Sequence, residues 1–202
     1  MPTKNPSSLE RSKEILTAEY EYIADTASQA NEDRARVASF YLIAVGSLVA
    51  ALFSTQLLDN DSNIKTLSLL FSGLFFVLTL LGTITVAQLA RLRAAWYESV
   101  LALNQIKEYA IGQEKDIARA FRWRAGSMPP LYKINSISYQ QTVEVALLSG
   151  LTFGAAIYFL QIGMNYRCLT CNWAYTIAGA FFAFLFQLFL YKRLLTPGKK
   201  GK

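Results

Sequence analysis

The sequence predicts an all-α integral membrane protein, a four-helix chain of two transmembrane hairpins joined by a cytoplasmic helical segment. Three observations lead there. The 202 residues are 53% hydrophobic and only 17% charged. A soluble domain averages about 25% charged residues, so there is too little charge here to coat a globule in water. The apolar surplus is gathered into four runs, 37–58, 66–90, 143–164 and 173–191, each near the roughly 20 residues a helix needs to cross the hydrocarbon core. Finally, 18 of the 20 Lys and Arg residues fall in the leader, the central segment and the tail, leaving only Lys65 and Arg167 in the two short loops. Cations distributed in this way place both termini and the central segment on the cytoplasmic side of an inner (plasma) membrane.

Residues 1–36 are expected to form a cytoplasmic N-terminal helix. Breakers are few from Ser8 onward, and Leu16, Tyr20, Ile23, Ala27 and Ala30 recur at threes and fours as one narrow stripe. Seven acids against five cations suit this leader poorly to an anionic membrane surface, so it is expected to pack on another helix. Residues 37–90 form the first transmembrane hairpin. Its opening run is long, follows a charged leader and lacks a cleavage site, which marks a retained span rather than a signal peptide. None of the four runs has a charge at its centre, and unsatisfied backbone groups cost several kcal/mol each in lipid, which requires helices.

Residues 91–142 are read as a cytoplasmic helical stalk and elbow. After the second run no Gly or Pro occurs until Gly112. Leu89, Leu92, Trp96, Leu103, Ile106 and Ala110, with Ile117 seven further on, form the seam of a coiled coil or bundle facing the leader. Ala94, Ala95 and Ala102 favour a stiff helix. Gly126-Ser127-Met128-Pro129-Pro130 is expected to stop it, because prolines cannot donate and bias the preceding residue away from the helix. Residues 131–142 return, as a short helix or extended chain, to the second hairpin, 143–191, and residues 192–202 are a basic cytoplasmic tail.

Composition also limits the chemistry. With no His the usual general base is missing, and with it the Ser-His-Asp and Cys-His dyads and most zinc, copper and haem sites. Two Cys make neither a disulfide scaffold nor an iron–sulfur set. The expectation is a protein that is not an enzyme, with no cofactor and no metal site. Glu98, Glu108 and Glu114 read as solvated helix faces. A net charge of +6 could invite nucleic acid, but the basic excess hugs the span ends, where it meets anionic lipid, so no nucleic-acid partner is expected.

Within the runs the polar residues are neutral: Gln56, Thr79, Thr83, Thr85, Gln88, Gln161, Asn165 and Gln187. Two readings stand, helix–helix hydrogen bonding or a water-lined path in an assembly, for which Thr79, Thr83, Gln88, Gln56, Gln161 and Gln187 are the candidate pore-lining residues. Gly150 and Gly154 have the GxxxG spacing, and Gly179 with Ala183 offers a second small face; either face can pack within the chain or between copies. A thin four-helix subunit cannot hold an open pore without losing its own core, so a channel would be a homo-oligomer. Cys168 and Cys171 admit a local disulfide or two free thiols, beside the interfacial aromatics Tyr166, Trp173 and Tyr175. Lys115, Arg119, Arg122 and Arg124 fall near one helical face, either as a site for an anionic ligand or lipid headgroup or as a solvated helix end.

The stretch 22–36, Tyr-Ile-Ala-Asp-Thr-Ala-Ser-Gln-Ala-Asn-Glu-Asp-Arg-Ala-Arg, runs straight into Val37-Ala38-Ser39-Phe40-Tyr41-Leu42. It resembles the juxtamembrane helix of the SLATT and SMODS-associated four-TM families of bacterial membrane proteins. The likeness covers the general plan and about the first ninety residues. It implies a pore-forming or membrane-perturbing effector of antiphage defence, paired with a soluble sensor protein or a nucleotide second messenger. The rival expectation is a non-conducting membrane scaffold or regulatory subunit that docks a soluble partner.

Overall fold

A computed structural model describes residues 6–54, 64–165 and 169–196. Among these the fold is all-α and contains four long helices: α1 (Pro6–Ser54), α2 (Ile64–Gln113), α3 (Ile137–Gly163) and α4 (Leu169–Leu195). All four are long and apolar enough to cross a membrane. α1 runs without interruption through the leader and the first apolar run, as the lack of breakers between them requires.

α2 continues well past the second apolar run but stops at Gln113, well before the two prolines expected to end it. Gly112 weakens the last turn, and Glu114 is extended at φ −141, ψ 105. The chain then makes two short 3-10 turns, Lys115–Ala120 and Ala125–Ser127. A fork of hydrogen bonds draws it back: Arg124 Nε donates to Glu108 Oε1 at 3.0 Å and Nη2 to Oε2 at 2.7 Å. In a continued helix those residues would stand about 24 Å apart, so fork and helix exclude each other. The expectation that Ile117 extends the seam is corrected by this fold-back, whereas Glu108 keeps a partly exposed side chain and gains an ion pair.

The chain divides into two compact units, one of residues 1–33 and 92–133 and the other of residues 34–91 and 134–202. The first brings the leader and the stalk together in one body. There Ala27 and Ala30 of the predicted stripe are buried, Leu16 and Ile23 are half-buried and Tyr20 is exposed. On α2 the expected seam residues Leu92, Trp96, Leu103, Ile106 and Ala110 are half-buried, whereas Asn104 is completely buried. Arg93 lies over the Trp96 ring at 4.4 Å, and its Nε donates to the Leu131 carbonyl at 3.3 Å.

The second unit holds the apolar parts of all four helices. α3 starts six residues before its apolar run, because Ser136 caps it by accepting from the Tyr139 N–H at 3.2 Å. α3 and α4 approach closely through small residues. A Cβ on Gly150 would lie 2.8 Å from the Ala180 carbonyl oxygen, and one on Gly154 would lie 3.0 Å from the Ala180 Cβ. Phe71 and Phe75 of α2 pack on Phe159 of α3, with centroids 5.4 and 5.7 Å away. Large apolar side chains face outward on every helix: Phe40, Ile43, Leu70, Phe76, Leu151, Phe181, Phe182 and Phe189 are all exposed. So much apolar surface is not found on a monomer in water and fits a hydrocarbon surround.

Candidate functional site

The buried face of α3 in the second unit is built from small and hydroxyl residues: Ser138, Thr142, Ser149, Gly150, Thr152, Gly154 and Ala156. Thr142 and Thr152 return their hydroxyls to the backbone of their own helix, at Ser138 O and Ser149 O, each at 2.9 Å. Such back-bonding lets hydroxyls lie in an apolar interior at little cost. Ser138 is hydrogen-bonded to the Tyr191 hydroxyl of α4 at 2.9 Å, and Ser72 of α2 donates to the Ala156 carbonyl at 2.8 Å. The α3 interior is thereby tied to α4 at one end and to α2 at the other.

Between these ties all four helices meet in one polar cluster. Thr79 Oγ1 is 3.0 Å from Thr152 Oγ1, and the Ser149 hydroxyl donates to the Thr79 carbonyl at 3.3 Å. Gln187 reaches in from α4, its Nε2 donating to Thr83 Oγ1 at 3.1 Å and to Ser149 Oγ at 2.5 Å. From α1, the Tyr41 hydroxyl stands beside the Ser149 and Thr152 hydroxyls, with no hydrogen bond aligned to either. Tyr41 and Gln187 are each 1% exposed, and the Gln187 Oε1 has no partner among the described residues. Gly82 makes the convergence possible, since a Cβ there would lie 2.5 Å from Ser149 Oγ and 2.7 Å from Tyr41 Oη.

Every group in this cluster is a neutral hydroxyl, amide or carbonyl. It can hold water or weakly coordinate a cation through oxygen, but it contains no carboxylate or amine to act as an acid or base near neutral pH. One of its members, the Gln187 Oε1, has no partner among the described residues, and an unmatched polar group in an apolar interior costs on the order of 1–3 kcal/mol.

The structure separates the candidate pore-lining residues into three places. Thr79, Thr83 and Gln187 belong to the cluster. Gln88 is exposed on α2. Gln161 lies near the end of α3, in an open groove with α4. Gln56 is outside the described residues. Gly150, Gly154, Gly179 and Ala183 all serve the α3–α4 contact within one chain: Gly179 lies against Ile157 and Phe153, and Ala183 is buried. Cys168 is outside the described residues, and so is the pairing it would make with Cys171. Trp173 is exposed and packs on Tyr158 at 5.4 Å, and Tyr175 is exposed.

In the first unit the four basic candidates do not share a helical face. Lys115 and Arg119 are exposed on the first 3-10 turn, and Arg122 is exposed beyond its end. Arg124 is held by Glu108, whose carboxyl is kept below its ordinary value chiefly by those hydrogen bonds, with the Arg124 charge adding to the effect. The guanidinium is raised in turn by the same partner.

Tyr41, Gly82, Ser149 and Thr152 were not singled out in the sequence. The available signal was the spacing of four, seven and three between Ser138, Thr142, Ser149 and Thr152, which places them on one side of a helix. The chain matches no protein-family model, no curated protein and no solved structure.

Proposed function

We propose that this chain is a multi-pass protein of the plasma membrane that works as a homo-oligomeric, pore-forming or membrane-perturbing effector. Both termini and residues 91–142 face the cytoplasm, and its cytoplasmic helices gate it. The observation that carries the reading is the buried hydroxyl and amide cluster at which all four helices of the second unit converge. A bundle that served only as an anchor would have no need of a buried hydroxyl and amide cluster with an unmatched Gln187 oxygen in its interior. Tyr41, Ser149, Thr83 and Gln187 stand four to seven residues inside the cytoplasmic ends of the apolar runs, or about 6–10 Å along a helix. This is a suitable depth for a gate. α1 and α2 are each one unbroken helix, so a shift of the leader or stalk reaches Tyr41 and Thr83 as a rotation or slide. The resemblance to the SLATT and SMODS-associated proteins points to the same class of activity. It also points to a soluble sensor or nucleotide second messenger as the activator.

The test combines oligomeric state in detergent with ion flux from liposomes holding the purified protein. The reading expects an assembly whose flux changes in Gln187→Leu and Thr83→Val. Monomers together with liposomes that stay ion-tight under every candidate activator would overturn it. Tags on the two ends test the orientation, and an externally accessible C-terminus would remove its basis.

A non-conducting scaffold is the second reading, and one observation favours it. The first unit leaves Ile15, Tyr22, Tyr109 and Trp123 exposed, and aromatic residues of this kind anchor protein interfaces. It expects one soluble partner at fixed stoichiometry in a mild-detergent pull-down and no conductance.

A further inference from the structure

We propose that the groove between the C-terminal end of α3 and the N-terminal part of α4 binds one acyl chain of a glycerolipid, whose ester carbonyl accepts a hydrogen bond from the Gln161 side-chain amide. The groove is open and has a volume of about 500 Å³, within the range of roughly 300–1,000 Å³ typical of small-molecule sites. Ile157 and Leu160 wall it on α3, and Ala178 and Phe182 on α4. It exists because α4 is small here. Gly179 fits tightly against Ile157, and Ala178 beside it projects only a methyl group.

Gln161 sets the chemistry. Both polar atoms of its amide are buried and neither has a partner among the described residues, while the walls around it are almost wholly apolar. An unmatched primary amide next to hydrocarbon is costly. A glycerolipid matches both the groove and the amide: its chain covers the walls, and its ester carbonyl meets the N–H once the side chain, whose polar atoms are covered, turns towards it. The depth also agrees. Gln161 is two residues from the end of α3 at Gly163, the level at which lipid esters lie, and Ile157 is one turn further towards the middle of the span. A helix of a second copy would cover the walls but would leave the amide unmet unless it placed a polar side chain there.

The inference depends on the proposed function only for the bilayer around the helices, and the experiment separates the two. Purified protein is reconstituted in phosphatidylethanolamine–phosphatidylglycerol liposomes doped with a phospholipid bearing a diazirine on one acyl chain. After illumination, labelled positions are mapped by mass spectrometry. Label should concentrate on Leu160, Met164 and Phe182 above the level at Phe76, which is exposed on α2. Gln161→Leu should lower groove labelling about fivefold, the effect of one net hydrogen bond of about 1 kcal/mol. Ala178→Trp should abolish it. Labelling of Phe76 should be unchanged in both variants, which shows that each is still inserted. Groove labelling equal to that of Phe76 would mean annular lipid only and would overturn the proposal. So would disulfide cross-linking of Ala178→Cys between copies, which would put a second chain in the groove. Absence of label at every position would instead remove the membrane reading itself.

Discussion

Gly82→Ala tests whether the helices are held together through the polar cluster. A Cβ on Gly82 would stand 2.5 Å from Ser149 Oγ and 2.6 Å from Ser149 Cβ, where ordinary contact begins at 3.4 Å. The hydroxyl could rotate away, but the Cβ is fixed to the α3 backbone, so α3 must withdraw by about 0.8 Å relative to α2. Overpacking of this kind costs about 1–3 kcal/mol, and alanine's better helix propensity returns up to about 1 kcal/mol. The net expectation is a destabilisation of about 1–2 kcal/mol, with loss of the Ser149–Thr79 hydrogen bond. The assay is reversible unfolding in mild detergent by SDS titration, followed by helical circular dichroism. Gly73→Ala is the control, since nothing lies within 4 Å of its added Cβ, and its change should fall between zero and a gain of about 1 kcal/mol. A Gly82→Ala variant as stable as the wild type, beside a normal control, would refute the packing described for α2 and α3.

Four further substitutions probe the same cluster and the first unit. Gln187→Leu removes two hydrogen bonds but also an unmatched oxygen, so it should destabilise by only about 0.5–1.5 kcal/mol in the same unfolding assay. Combined with Thr83→Val it should show positive coupling in a double-mutant cycle. Asn104→Leu replaces a fully buried amide whose nitrogen and oxygen both lack a partner among the described residues. It should stabilise the first unit by about 1–2 kcal/mol, seen as slower hydrogen exchange in the stalk part of α2. The Glu108 carboxyl is lowered by Arg124 from its ordinary 4.5. Its folded value lies below its unfolded one, so the pair stabilises fully above pH 4.5 and its contribution fades as pH falls through the folded value. The melting difference between wild type and Glu108→Gln should therefore be constant near neutrality and shrink only in acid.

How far the sequence could be read depended on the range of each interaction. The long helices were legible because their causes are local: apolar runs of spanning length, and no proline between Pro6 and Ser54 or between Ile64 and Gln113. The end of α2 was not. Gly112 costs only about 1 kcal/mol relative to alanine, too little to announce a terminus, and the Glu108–Arg124 fork that accompanies it joins residues 16 apart. Thr79, Thr83 and Gln187 drew notice as polar residues in apolar surroundings. Ser149 and Thr152 did not, because hydroxyls that bond their own helix are common and cheap. Nothing in the sequence sets Tyr41 apart from the other aromatic residues, or Gly82 from the other glycines. Asn104 lies between Leu103 and Ile106 of the predicted seam. Only the tertiary packing makes it, and not its neighbours, the most buried residue there.

The close approach of α3 and α4 also limits how this chain can vary. Their contact is made through what Gly150, Gly154 and Gly179 lack, while Phe181, Phe182, Phe186 and Phe189 of α4 are exposed. Phe181 and Phe189 can be exchanged for any greasy side chain with little consequence. No residue is smaller than glycine, so every replacement at Gly150 wedges the two helices apart. For this pair of helices, the way to lose the fold is to gain atoms.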